Sequence, residues 1–190
     1  LVSITTRNTT NFPTTPVPVF NLPEAVTKGD CELWYARGGS VSVDHLNQII
    51  VIMSALYPDE NENGTWCEQK LKNSNLVIMT NSERVVAFAA FDVYTTADES
   101  TVLYLSNIAT LESERKKGHG AEILKSLSAC GRHLNASCIL AQTVTTQEGG
   151  KFWQTSAYNE TVDAQILSLQ LTMQGDWFEP KCKPRVKILI

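Results

Sequence analysis

The sequence predicts a mixed α/β fold around one central sheet, and three observations carry that prediction. Residues 76–80, 84–95 and 102–109 are three successive strand patterns joined by short turns. A turn containing Gly118-His119-Gly120 follows the third strand. It opens a helix with Ile123, Leu124, Leu127, Gly131 and Leu134 on or near one face. Helical patterns also precede the strands, and at 190 residues a single domain is the default.

Residues 1–24 are rich in Thr and Asn and carry Pro13, Pro16, Pro18 and Pro23. They read as an extended arm or linker, leaving 25–190 as the folded domain. Phe12, Val17, Val19 and Phe20 could dock that arm on the domain or on a neighbouring subunit, which leaves a homodimer open. Residues 31–36 form a first strand, ended by Gly38-Gly39. Ser42 or Asp44 caps a helix whose Leu46, Ile49, Ile50, Met53 and Leu56 keep helical spacing, and Pro58 stops it. An acidic loop, 59–64, leads to a short helix over 65–72, where Thr65 and Glu68 form a capping box.

Asn81-Ser82-Glu83 is the tight turn between the first two strands of the meander, and Asp98-Glu99 marks the next. After the long helix, 138–144 is an apolar strand. Thr145 and Glu148 make a second capping box for a helix through Phe152 and Trp153. Residues 164–173 and 185–190 read as strands, with turns at 175–177 and 180–184 between them.

Composition narrows the function. A net charge of −4 argues against a general nucleic-acid binder. No apolar run approaches the roughly 18 residues that span a membrane. Five cysteines (Cys31, Cys67, Cys130, Cys138 and Cys182) are an odd number without a C-x-x-C pair. They read as reduced thiols of a cytoplasmic protein rather than a disulfide framework or a zinc site. The N-x-[ST] sequons at Asn8, Asn63, Asn135 and Asn159 are expected by chance in a chain so rich in Asn, Ser and Thr. The chain starts at Leu1 rather than methionine, which fits a processed or excised piece.

The chemistry suggested by the turn at 115–121 is anion binding. Glycines at a helix start expose bare N–H groups, and the helix dipole favours negative charge there. Arg115, Lys116 and Lys117 add three positive charges, so pyrophosphate is the natural guest. A Walker loop would need Gly-Lys-Ser/Thr, which is missing. A dinucleotide fingerprint would need glycine where Ile123 stands, so a nucleotide-binding domain fits poorly. R-x-x-G-x-G does fit, as Arg115-Lys116-Lys117-Gly118-His119-Gly120.

With strand 103–111 before it and helix 121–127 after it, this segment resembles the acyl-coenzyme-A loop of the GCN5-related N-acetyltransferase (GNAT) family. The resemblance covers about residues 29–190. It implies a mostly antiparallel central sheet with a splayed parallel pair and helices on both faces. It implies acetyl-CoA as substrate without a metal, and a primary amine, small or a protein lysine, as acceptor. The acetyl-pantetheine arm would pair with the backbone of Asn107, Ile108, Ala109 and Thr110, where a backbone N–H polarises the thioester carbonyl. The pyrophosphate would sit on the amides of Lys116, Lys117, Gly118, His119, Gly120 and Ala121, beside Arg115.

Catalytic groups are less clearly implied. The family often shows Asn-x-x-Ala-x-x-Phe-Tyr with the tyrosine as general acid. The matching residues are Thr146, Gly149, Phe152 and Trp153, and tryptophan cannot usefully give up a proton. Ala157-Tyr158 stand where the family commonly has Gly-Phe. Tyr104 occupies the position of a glutamate base in some protein-lysine members. With a pKa of about 10, tyrosine is a poor base but could act as the acid or orient a water; a packed strand tyrosine is the plainer reading. His119 would touch phosphate or solvent, and His45 and His133 read as surface residues. The acidic loops at 59–63 and 98–99 read as solvated. The missing acid and base leave an alternative, a non-catalytic acyl-CoA-binding or interaction module.

Overall fold

A computed structural model describes residues 26–55, 65–95, 100–144, 152–153, 155–159 and 182–189. The predicted arm, the Pro58 stop, the acidic loops at 59–64 and 98–99, the Thr145–Glu148 box, the 164–173 strand and the turn at 175–177 lie outside these residues.

Seven strands form one sheet in chain order: β1 (Val26–Lys28), β2 (Cys31–Arg37), β3 (Asn75–Asn81), β4 (Arg84–Thr95), β5 (Thr101–Thr110), β6 (Cys138–Val144) and β7 (Cys182–Ile188). All neighbours are antiparallel except β5 and β6. Helices α1 (Val43–Ser54) and α2 (Thr65–Asn73) cover one face, and α3 (His119–His133) covers the other. The mostly antiparallel sheet, the parallel pair and the helices on both faces are as expected.

Local chemistry explains the elements. The Ser42 hydroxyl accepts from the His45 N–H at 3.2 Å and caps α1. Leu46, Ile49, Ile52 and Met53 then face the sheet, each contributing about 1.5–3 kcal/mol by leaving water. Ser82 and Glu83, with φ of +47° and +67°, turn β3 into β4 in the left-handed geometry of a two-residue hairpin. Gln48 of α1 holds this hairpin by accepting from the Val85 N–H at 2.8 Å. On the opposite face Ile123, Leu124, Leu127 and Cys130 pack on Leu103, Leu105 and Ile139.

Two boundaries differ from expectation. β1 has too few residues to show a period and exists through its pairing with β2. Residues 182–184, expected in a turn, begin β7: Pro184 pairs with Gln142, where β7 is the outermost described strand and a missing N–H is tolerated.

Candidate active site

The parallel pair parts. β5 and β6 are paired only from Val102/Cys138 to Leu105/Ala141. β5 then runs on to Thr110, still paired with β4, and β6 runs on to Val144 beside β7. On the side facing β6, residues Ser106–Thr110 therefore lie beyond the described β5–β6 ladder. Ser106 is also the extra residue of a bulge, because Phe91 pairs with Leu105 and Ala90 with Asn107. Its hydroxyl donates to the Ala90 carbonyl at 3.1 Å. The splay thus leaves main-chain groups of Asn107, Ile108, Ala109 and Thr110 facing a wedge.

The mouth of the wedge is the start of α3. Gly118 is the N-cap at φ +86°, and the first bond of the helix runs from the Glu122 N–H to the Gly118 carbonyl. The N–H groups of His119, Gly120 and Ala121 thus precede the helix's own ladder. Lys116, at φ +66°, is the other left-handed residue of the turn, and such residues gather N–H groups into anion-sized concavities. The two glycines divide the work. A Cβ on Gly118 would meet nothing within 4 Å, so its φ is what requires glycine. A Cβ on Gly120 would come within 3.3 Å of the Phe152 ring, so that glycine serves packing.

The basic groups do not all point outward. Glu114, in the 3-10 turn before the loop, accepts from Lys117 Nζ at 2.8 Å, and His119 Nε2 stands 3.5 Å from the same oxygen. The Lys117 hydrogen bond is the main cause holding the Glu114 carboxyl below its usual range, with the charges of Lys117 and His119 adding to it. His119 is only 15% exposed and meets this carboxylate, where solvent or phosphate was expected. Arg115 and Lys116 are exposed.

The other end of the splay opens into a cleft of about 480 Å³ on the α1/α2 face. Its floor carries Asp92 and Tyr94 of β4 with Tyr104 and Ser106 of β5, and Lys70 and Asn73 of α2 form a wall. Asp92 and Tyr104 are direct partners in the β4–β5 ladder. Tyr104 is 7% exposed and packs edge-on against Tyr94 at 6.2 Å. Asp92, Tyr94, Ser106 and Lys70 were not singled out from sequence. The available cue was an aspartate closing an otherwise apolar run in a strand, where aspartate is disfavoured.

Trp153 is buried between Phe152 and Tyr158, both rings at 5.2 Å. It is a core side chain. Ala157 holds φ +62°, the conformation that glycine adopts without strain, and Tyr158 is fully buried behind it. His45 is half-buried against Trp34 and reaches the Glu83 carbonyl at 3.1 Å, whereas His133 is exposed. Burial pushes the Cys130 thiol up to about 12 and raises Cys138 too, so neither is a thiolate nucleophile at neutral pH. No metal-binding cluster occurs among the described residues, and no helix there is long and apolar enough to cross a membrane.

The family model described as Acetyltransferase (GNAT) family matches residues 47–151, more than half of the chain. The chain belongs to the GNAT acetyltransferase family. That match spans the splay, the loop and the cleft. No curated protein matches the GNAT chain by sequence. Solved structures share its fold. Arabidopsis thaliana Naa50, in complex with the bisubstrate analogue CoA-Ac-MVNAL, aligns with a TM-score of 0.56 at 15% identity, covering 82% of this chain and 97% of that one. Tetrahymena GCN5 aligns at 0.60 and 11% identity, covering 76% and 86%. The aminoglycoside acetyltransferase meta-AAC0020, from an uncultured soil metagenomic sample, aligns at 0.57 and 11%, covering 67% and 87%.

Proposed function

We propose that this GNAT protein transfers acetyl from acetyl-CoA to a primary amine held in the cleft over Tyr104. The observation that carries the proposal is the end of β5–β6 pairing at Leu105/Ala141, with an anion-ready helix start at one end of the open segment and a polar cleft at the other. At about 3.3 Å per residue, Ser106 to Thr110 spans about 13 Å, a fair match to an extended acyl-pantetheine arm. The complex of Naa50 with a CoA-containing analogue supports this donor, because the fold is shared.

The pyrophosphate would rest on the amides from Lys116 to Ala121, beside Arg115. The arm would pair with Asn107–Thr110 as an added strand, and a backbone N–H there would polarise the thioester carbonyl. Asp92 is the carboxylate among the described residues lining the cleft and would hold the incoming ammonium and accept its proton. The neutral nitrogen then attacks the carbonyl carbon, the C–S bond breaks, and coenzyme A leaves. A thiol of pKa about 8.5 leaves readily as thiolate, so a buried Trp153 in place of a tyrosine acid does not preclude turnover. Tyr104, beside Asp92, would orient the amine or a water.

Thiol release with acetyl-CoA across an amine panel tests this, alongside calorimetry with coenzyme A. Amine-dependent release is expected. Heat of coenzyme A binding without any acetylated amine would instead establish the non-catalytic module, a reading favoured by the core position of Trp153.

A further inference from the structure

We propose that the outer face of α1 is the docking surface for the chain's own N-terminal arm, through residues 12–22. α1 is apolar on more than the side it turns to the sheet. Leu46, Ile49, Ile52 and Met53 are buried beneath it. At about 3.6 residues per turn, Val43, Asn47, Ile50 and Val51 fall within about 100° of one another on the outward side. Val43 is 76% exposed and Val51 68%, two of the three large apolar side chains so exposed among the described residues, and Ile50 beside them is half-buried. None of these four carries a formal charge. Asp44, at the border of the stripe, accepts from Gln48 Nε2 at 3.2 Å. A helix that faces water carries charge on its outer side, so one that is apolar there as well calls for a cover.

The arm fits that cover in position, length and chemistry. Val26 pairs with Leu33 in the β1–β2 ladder, and Trp34, the next residue of β2, meets the His45 ring in the first turn of α1 at 5.5 Å. The chain ahead of Val26 therefore starts beside α1. The 12 residues of α1 span about 18 Å. Residues 16–22, extended as prolines favour at about 3.1 Å per residue, span about 19 Å. Between Arg7 and Glu24 the arm has no charged residue, and Val17, Val19, Phe20 and Leu22 offer apolar side chains to an uncharged stripe. Pro13, Pro16, Pro18 and Pro23 fix φ and carry no N–H, so such a segment loses little entropy and few backbone bonds on an apolar surface.

Chymotrypsin cleavage after Phe20 tests this on the full chain, with a synthetic peptide of residues 10–26 as the unprotected reference. The chain should be cut about tenfold more slowly than the peptide, or slower still. Val43→Glu/Val51→Glu puts two charges on the stripe at exposed positions and should remove most of that protection. Lys125→Glu, on the exposed side of α3 across the sheet, should leave it in place. Glutamate is a better helix former than valine, so α1 is retained, and circular dichroism confirms it. The inference is overturned if the chain is cut as fast as the peptide, if the α1 variant keeps its protection, or if both variants lose it alike. Protection that fades on dilution, with a dimer in sedimentation, would give the stripe to the arm of a second copy and overturn docking within one chain.

Discussion

The Phe152 ring lies 3.3 Å from the point that a Cβ on Gly120 would occupy. The second glycine of the loop is therefore a seat for an aromatic side chain. Two effects compete in Gly120→Ala: helix propensity gains up to about 1 kcal/mol, while crowding a packed ring costs about 1–3 kcal/mol. Crowding is the larger, because Phe152 is itself backed by Trp153 at 5.2 Å. Chemical denaturation should show a net loss of about 1 kcal/mol for Gly120→Ala, and an unchanged or raised midpoint would contradict this packing role.

Glu114 competes with any anion for Lys117 and His119. In Glu114→Gln, coenzyme A affinity measured by calorimetry should rise roughly two- to fivefold at low salt, the range of an exposed ion pair. The gain should shrink as salt is added. A carboxyl whose folded pKa is lowered stabilises the fold above its unfolded value, about 4.3 for glutamate. That contribution fades as pH falls through the lower folded value. The loss of thermal stability on acidification below pH 4.3 should accordingly be shallower in Glu114→Gln than in the parent; parallel curves would show that the carboxylate contributes nothing.

Ala157 and Tyr158 invite stabilisation. Ala157→Gly removes a left-handed Cβ at φ +62° and should add about 1 kcal/mol. The Tyr158 hydroxyl is buried with no hydrogen-bond partner among the described residues. Tyr158→Phe should add about 1 kcal/mol by deleting an unsatisfied group. Lower melting temperatures for both variants would mean that the strain and the orphaned hydroxyl are absent in solution.

Much of the fold was legible because its elements announce themselves locally. The β4 bounds, 84–95, and the β6 bounds, 138–144, follow from apolar runs between turn residues. The glycine loop was legible for the same reason: its residues are consecutive. The cleft was not, because it joins α2, β4 and β5 through contacts far apart in sequence. Lys70 and Asp92 are remote in the chain, and no local pattern states that they share a wall and a floor. Phe152 against Gly120 was hidden likewise, and a glycine in an R-x-x-G-x-G motif reads as ligand-facing until its neighbours are known.

Asp92→Asn keeps the size of the side chain and removes its charge. If Asp92 holds the ammonium and takes its proton, kcat/KM for amines should fall about 10²–10⁴-fold. Coenzyme A affinity should stay within error, since the helix start and the Asn107–Thr110 segment are untouched. Retained turnover with Asp92→Asn would move the base elsewhere in the cleft.

The parting of β5 from β6 has a consequence for handling the protein without substrate. Beyond Leu105/Ala141 the two strands no longer pair with each other among the described residues, and each edge there is a template for an extended segment. An acyl-pantetheine guest would blunt one of them. Self-association on storage should therefore be greatest in ligand-free preparations and should recede when coenzyme A is included.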